Sequence, residues 1–156
     1  MSIICDKFKE FCNEVGLECT FHESDNYAIT NISGDNSDYT LLVRWIDATD
    51  QQWGIFSSQV ISPSKVPSEK RLKICEFITR INCYDYKLAF RLNFEDGEVK
   101  CTLTDVIDSN ESWNKLIFHP AIILPRDAMN MIYPHLMEQI YSNITPQESI
   151  EKLLKK

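Results

Sequence analysis

The sequence predicts an α+β fold, an antiparallel sheet with helices on one side, and three observations carry that prediction. Apolar and polar residues alternate in several runs, which is the period of a half-buried strand. Successive runs are joined by short turns, and short turns make neighbouring strands antiparallel. Apolar stripes at helical spacing lie before, between and after the two sets of strands. The chain has 156 residues, the size of one domain that buries about two-thirds of its extended surface. No low-complexity tract, internal repeat or shift in composition divides residues 1–156.

The first helix is expected over Ile3–Val15. Ile4, Phe8, Phe11, Cys12 and Val15 form its apolar stripe, Ser2 suits the N-cap and Gly16 the C-terminal stop. Leu17, Cys19 and Phe21 then alternate with Glu18, Thr20 and His22 as a strand, and Glu23 to Asn26 is turn chemistry. Tyr27–Ile32 reads as a second strand. Tyr39–Ile46 is a third, with Tyr39, Leu41, Val43 and Trp45 on one face; Leu42 and Ile46 imply partial cover on the other. Ala48 to Gln52 turns the chain, and Trp53–Ile61 returns as a fourth strand.

A helix opens at Pro67, a residue suited to the first helical position. Glu69 with Lys73, and Glu76 with Arg80, are i,i+4 pairs worth a few tenths of a kcal/mol each. Opposite them Ile74, Cys75, Phe77, Ile78 and Ile81 cover roughly half the circumference at ~100° per residue. A helix packed on one sheet needs less. The surplus has two readings: burial under neighbouring elements, or contact with a second chain. On the second reading Ile74, Phe77, Ile78, Ile81 and Tyr84 are the candidate interface residues.

A hairpin follows. Tyr86, Leu88, Phe90, Leu92 and Phe94 share one face, with Lys87, Ala89, Arg91 and Asn93 on the other. Asp96-Gly97 suits a two-residue type I′ turn. That turn sets Phe94 opposite Val99, Leu92 opposite Cys101 and Phe90 opposite Leu103. Asp108 to Glu111 then caps a short helix over Ser112–Phe118, which His119-Pro120 ends, and Ala121–Leu124 is a connector. A long helix is expected over about Arg126–Tyr141, with Pro134 inside it kinking it or leaving a carbonyl unpaired. Thr145 to Glu148 is a capping box opening a last helix, Pro146–Leu154, that buries Ile150, Leu153 and Leu154.

The formal net charge of −7 argues against binding to nucleic acid or to an anionic membrane, since both need a basic face. No run reaches the ~18 apolar residues of a membrane span. The N-terminus turns charged and amphipathic at once, unlike a secretory signal. All six cysteines are therefore expected reduced, and the protein cytoplasmic. No glycine-rich phosphate loop, nucleophile elbow or His-Glu-x-x-His run occurs. His22, His119 and His135 are far apart, and neither Gly34–Asp38 nor Asp108–Glu111 has calcium-loop spacing. Glu95, Asp96 and Glu98 sit on a hairpin tip, where solvent prevents the desolvation that tunes a catalytic carboxylate. No catalytic residue, cofactor site or metal ligand is expected. Trp45, Trp53, Tyr39, Phe56 and Trp113 read as core, or as the lining of a ligand pocket or interface. Tyr133, Met129, Met131 and Met137 read as core filling or as a partner groove.

Val66-Pro67, Arg71, the run Cys75 to Asn82, the run Phe90 to Val99, and the ending Tyr133-Pro134 with Ile144 to Ile150 together resemble the YbjN family, also described as bacterial sensory-transduction regulators. The likeness covers most of the chain and is sharpest from Ser62 to Val99. It departs after Asn82, where Cys83-Tyr84-Asp85 and Leu88-Ala89 stand in place of the family's glycines. The resemblance implies a twisted antiparallel sheet flanked by helices, like the type III secretion chaperones, often as a homodimer. It implies no established catalytic residues, and a role linked to regulation and stress responses. The expectation is a non-enzymatic, cytoplasmic module that binds another protein. The alternative is a small-ligand sensor with a pocket lined by Trp45 and Trp53.

Overall fold

The structure, a computed structural model, describes residues 2–48, 53–84, 87–108 and 115–155. Its elements run α1 Ile3–Val15, β1 Thr20–His22, a 3-10 turn Glu23–Asp25, β2 Tyr27–Ser33, β3 Asp38–Asp47, β4 Trp53–Ile61, a 3-10 turn Ser68–Lys70, α2 Arg71–Asn82, β5 Leu88–Leu92, β6 Val99–Asp108, α3 Lys115–Tyr141 and α4 Pro146–Leu154. Among the described residues six strands form one antiparallel sheet in the order β1-β2-β3-β4-β6-β5. The expected α+β class is what the chain adopts. The sheet is continuous because β6, not β5, pairs with β4, which places β5 at the edge.

Local chemistry explains the boundaries. The Ser2 side chain accepts from the Cys5 N–H at 3.1 Å, and Gly16 ends α1 in the left-handed region at φ 69. Asn26 takes the same region, at φ 56, to leave the first 3-10 turn. Alternation in β3 puts Tyr39, Leu41, Val43 and Trp45 on the core face, all fully buried. Phe8 of α1 knots this core. Its ring lies 5.3 Å from those of Phe56 on β4 and Phe118 on α3, and 6.0 Å from Phe21 on β1. α1, α2 and α3 pack on the sheet, and α4 closes over α2 and α3.

Four expectations need correcting. The first is the hairpin register: Leu92 pairs with Val99, Phe90 with Cys101 and Leu88 with Leu103, two residues away from the pairing a two-residue turn would set. A type I′ turn needs positive φ at both central residues, and only Gly97, at φ 78, supplies it. Residues 93–98 form a wider loop instead. The Asn93 N–H donates to the Glu98 carbonyl at 2.8 Å, and the Asn93 and Asp96 side chains accept from the Glu95 and Glu98 N–H groups, each at 3.0 Å. A shift of two keeps every side chain on its own face, so alternation could not detect it. Phe94 leaves the strand and is exposed, and Tyr86 lies outside the described residues.

The second correction concerns α2, whose α-helical part begins at Arg71 after the 3-10 turn, not at Pro67. The Glu76–Arg80 pair forms at 2.8 Å. Lys73 turns away from Glu69 and donates to the carbonyls of Gln139 and Ser142 at 3.0 and 3.2 Å, capping the C-terminal end of α3.

The third correction is α3, one helix of 27 residues with Pro120, Pro125 and Pro134 inside it. The expected break at His119-Pro120 and connector at Ala121–Leu124 are both helical. The expected start at Ser112, its cap at Asp108 to Glu111 and Trp113 involve residues 109–114, outside those described, as does the turn at 49–52. Each proline deletes the hydrogen bond to the carbonyl four residues back. For Pro125 that is Ala121, whose carbonyl accepts from the Ser58 hydroxyl of β4. For Pro134 it is Asn130, whose carbonyl accepts from Asn36 Nδ2 at 2.8 Å. At Pro125 and Pro134 the sheet and a loop replace the missing donors.

The fourth correction is at the C-terminus. α4 and its Thr145–Glu148 capping box form as expected and Ile150 is buried, but Leu154 is 55% exposed.

Removing a replacement donor strands a carbonyl. Ser58→Ala is expected to cost about 1–3 kcal/mol, more than Asn36→Ala at the more exposed site, measured by urea unfolding. A pH effect follows at the capping box. The Glu148 carboxylate accepts from the Thr145 N–H at 2.8 Å and from the Thr145 hydroxyl at 2.7 Å, which hold it below its ordinary value of 4.5. Because the folded pKa is depressed, its stabilisation is present above pH 4.5 and is lost as pH falls through the folded value. Glu148→Gln should remove that part of the acid-side fall in Tm.

Candidate interaction surface

The residues expected at an interface divide. Ile74, Phe77, Ile78 and Ile81 are buried within the single chain; Ile81, the most exposed of them, reaches 6%. The wide apolar arc of α2 is consumed by α4 as well as by the sheet and α3, so these four belong to the core. Tyr84 is 62% exposed. It lines a surface groove with Arg80, Gln147 and Ile150, and is the member of the set left exposed.

The aromatic residues divide too. Trp45 lies on the core face of β3 and Trp53 on the opposite face of β4, so the two do not share the pocket expected of a ligand sensor. Tyr39 is buried with its hydroxyl donating to Asn130 Oδ1 at 3.2 Å, and burial pushes this phenol up to about 12. Met129 is core, Met137 and Tyr133 are partly buried, and Met131 is exposed. Among the described residues no group of three His, Cys, Asp or Glu side chains is placed to hold a metal ion. His22 stacks on Tyr27 at 4.4 Å, His135 lies 3.9 Å from Glu138, and His119 borders a cavity of about 360 Å³ between α1, β2 and α3, with Phe11, Ile122 and Arg126. No helix of the described residues is long and apolar enough to cross a membrane.

The residues that carry the family resemblance build the scaffold. Arg71 reaches from α2 to the Phe94 carbonyl and, at 3.3 Å, to that of Val66. The Val66 N–H donates to the Gly97 carbonyl at 2.8 Å, and a Cβ on Gly97 would stand 2.2 Å from the Val66 oxygen. Asn82 completes edge strand β5: its Oδ1 accepts from the Phe90 N–H at 2.8 Å and its Nδ2 donates to the Phe90 carbonyl at 2.9 Å. The amide thus imitates one residue of a further strand and shields the edge from pairing with another chain.

Among the described residues the helices lie on one face of the sheet and no element covers the other. The register aligns Ile46 of β3, Ile55 of β4 and Val106 of β6 in one row across it. Ile46 is 61% and Val106 71% exposed, and Trp53, two residues from Ile55 on the same face, is 47% exposed. The next row holds Tyr27, Arg44, Ser57 and Thr104. Arg44 lies 6.0 Å over the Tyr27 ring, and the two hydroxyls bond at 3.0 Å. Further along stand Leu42, Gln59 and Thr102, then Ile61, Lys100 and Arg91. The expected partial cover over Leu42 and Ile46 is not found at Ile46, which stays 61% exposed. Its union with Val106 depends on β6 entering the sheet beside β4, which no local pattern signals.

No protein-family model matches this chain, and no curated protein matches it either.

Two changes test the scaffold around this surface. Asn82→Ala removes two hydrogen bonds to β5 and is expected to cost about 1–3 kcal/mol, while speeding amide exchange at Phe90. Gly97→Ala meets both positive φ and the Val66 carbonyl, and should cost at least as much in thermal unfolding.

Proposed function

We propose that this protein is a non-enzymatic, cytoplasmic protein-binding module, a regulator or chaperone-like protein of the YbjN kind, and that it pairs with a second copy of itself through the bare face of its sheet. The observation that carries this reading is the row of exposed Ile46, half-buried Ile55 and exposed Val106, with exposed Trp53 beside it. A soluble fold that leaves four large apolar side chains together on a flat sheet has a surface suited to a partner.

The face is complementary to itself. β4 lies between β3 and β6, so a two-fold axis along β4 sets Ile46 against the partner copy's Val106 and Ile55 against its own copy. The same operation sets Arg44 opposite Thr104, Lys100 opposite Thr40 and Arg91 opposite Asn31, so no like charges meet. Sheets stack this way with strand directions within about 30°. Strands β2 to β6, of 7, 10, 9, 5 and 10 residues, at about 3.3 Å per residue and about 4.8 Å between strands give a footprint of roughly 650 Å², somewhat below the ~800 Å² per partner of a stable interface.

Light scattering and analytical ultracentrifugation test the reading. The wild-type protein is expected to be a dimer. Ile55→Glu or Val106→Glu should weaken self-association roughly 30-fold or more, the ~2 kcal/mol of a central interface change, while leaving the far-UV circular dichroism intact. A wild-type protein that stays monomeric throughout, or a dimer indifferent to both substitutions, overturns it.

A further inference from the structure

The end of α1 and the chain that follows it hold a second arrangement, independent of the sheet face. The Cys12 carbonyl accepts from the N–H groups of Gly16 and, at 2.9 Å, of Leu17. With Gly16 at φ 69 this reverses the chain, and residues 17–19 run back along the last helical turn. The reversal brings Cys19 Sγ to 3.8 Å from Cys12 Sγ. A disulfide needs ~2.05 Å, so closing the gap takes side-chain movement of about 2 Å on a turn already folded. Two thiols seven residues apart are thereby held face to face.

Their surroundings differ. Cys12 is buried at 3% exposure, on the helix side. Cys19 is partly exposed, and both thiols border an open groove of about 480 Å³ that Lys9, Asn13 and Glu18 also line. Either thiol can donate across this contact; with the Cys12 S–H as donor it stabilises a thiolate on Cys19 and lowers its pKa. The same contact, together with burial, raises that of Cys12. Lys9 stands at the groove, 2.6 Å from Glu23 and 5.5 Å over the Phe21 ring. Of the two thiols at the groove, Cys19 presents the larger surface to an incoming reagent.

We propose that Cys12 and Cys19 form a thiol–disulfide exchange site whose substrates are low-molecular-weight disulfides, Cys19 attacking and Cys12 resolving. The Cys19 thiolate attacks one sulfur of the substrate disulfide. That S–S bond breaks as the Cys19 mixed disulfide forms, and the electron pair leaves on the first small thiolate, which takes up the proton Cys19 released. Cys12 then loses its proton and attacks Cys19 Sγ. The mixed disulfide breaks, the second small thiolate leaves and is protonated, and a Cys12–Cys19 disulfide remains. The protein dithiol is oxidised by two electrons, and the substrate disulfide is reduced to two thiols. Cys83, exposed at the end of α2, provides an internal reference. Its Sγ donates to the Thr79 carbonyl at 3.4 Å, and no resolving thiol stands beside it among the described residues, so an adduct there persists.

The test uses the reduced full chain with oxidised glutathione, quenched in acid and read by intact mass and peptide mapping. The expected wild-type product has lost two hydrogens through a Cys12–Cys19 link, retains no glutathione at either residue, and carries an adduct on Cys83. Cys12→Ser should hold one glutathione per chain on Cys19. Cys19→Ser should leave Cys12 unmodified while Cys83 reacts as before. The wild-type map decides even if a variant misfolds: glutathione retained on Cys19, or both thiols still free once Cys83 is modified, overturns the proposal.

Discussion

The fold depends on how α3 is held. A helix of 27 residues carrying three internal prolines would be kinked or broken in isolation. Here the carbonyls released by Pro125 and Pro134 are met by Ser58 from the middle of the sheet and Asn36 from the β2–β3 loop. These bonds fix where α3 sits along the sheet and how it is rotated. That in turn places Phe118 in the aromatic knot and Met129, Ile132 and Leu136 in the core. Asn130 adds to the hold through the Asn36 N–H and the Tyr39 hydroxyl. An unmet carbonyl in this layer would cost more than an ordinary hydrogen bond contributes, so the prolines make these contacts necessary.

The same layer closes the helical side of the molecule. Lys73 ties α2 to the last carbonyls of α3, and Lys152 of α4 meets Glu138 of α3 at 2.6 Å. α4 then covers the apolar arc of α2 that would otherwise face solvent. With that arc inside, Ile46, Ile55 and Val106 align in one apolar row on the far side of the sheet, with Trp53 beside them. Arg71, Asn82 and Gly97 each secure the β5–β6 hairpin to the rest.

Much of this was legible from residues alone, where a few neighbours decide the outcome. α1 with its Ser2 and Gly16 caps, β4, and the α4 capping box fall where local chemistry sets them. The buried face of β3 follows from strict alternation. The hairpin was legible in face but not in register, since a period of two is unchanged by a shift of two. The expected break at His119-Pro120 and connector at Ala121–Leu124 are helical, and the donor that compensates Pro125 is distant in sequence, Ser58 lying 63 residues from Ala121. Lys73 misleads for the same reason: Glu69 is its neighbour in sequence, and the α3 carbonyls are its neighbours in space.

The candidate surface shows the same division. From the sequence come the α+β class, the apolar arc of α2 and the unusual placement of Ile46, since side-chain periodicity and turn chemistry act over a few residues. Which apolar residues stay outside was decided by the order of strands and by where α4 settled, because burial is a property of what packs on top. The pairing of Cys12 with Cys19 lies between the two. Its residues are seven apart, yet only the left-handed turn at Gly16 brings their sulfurs together.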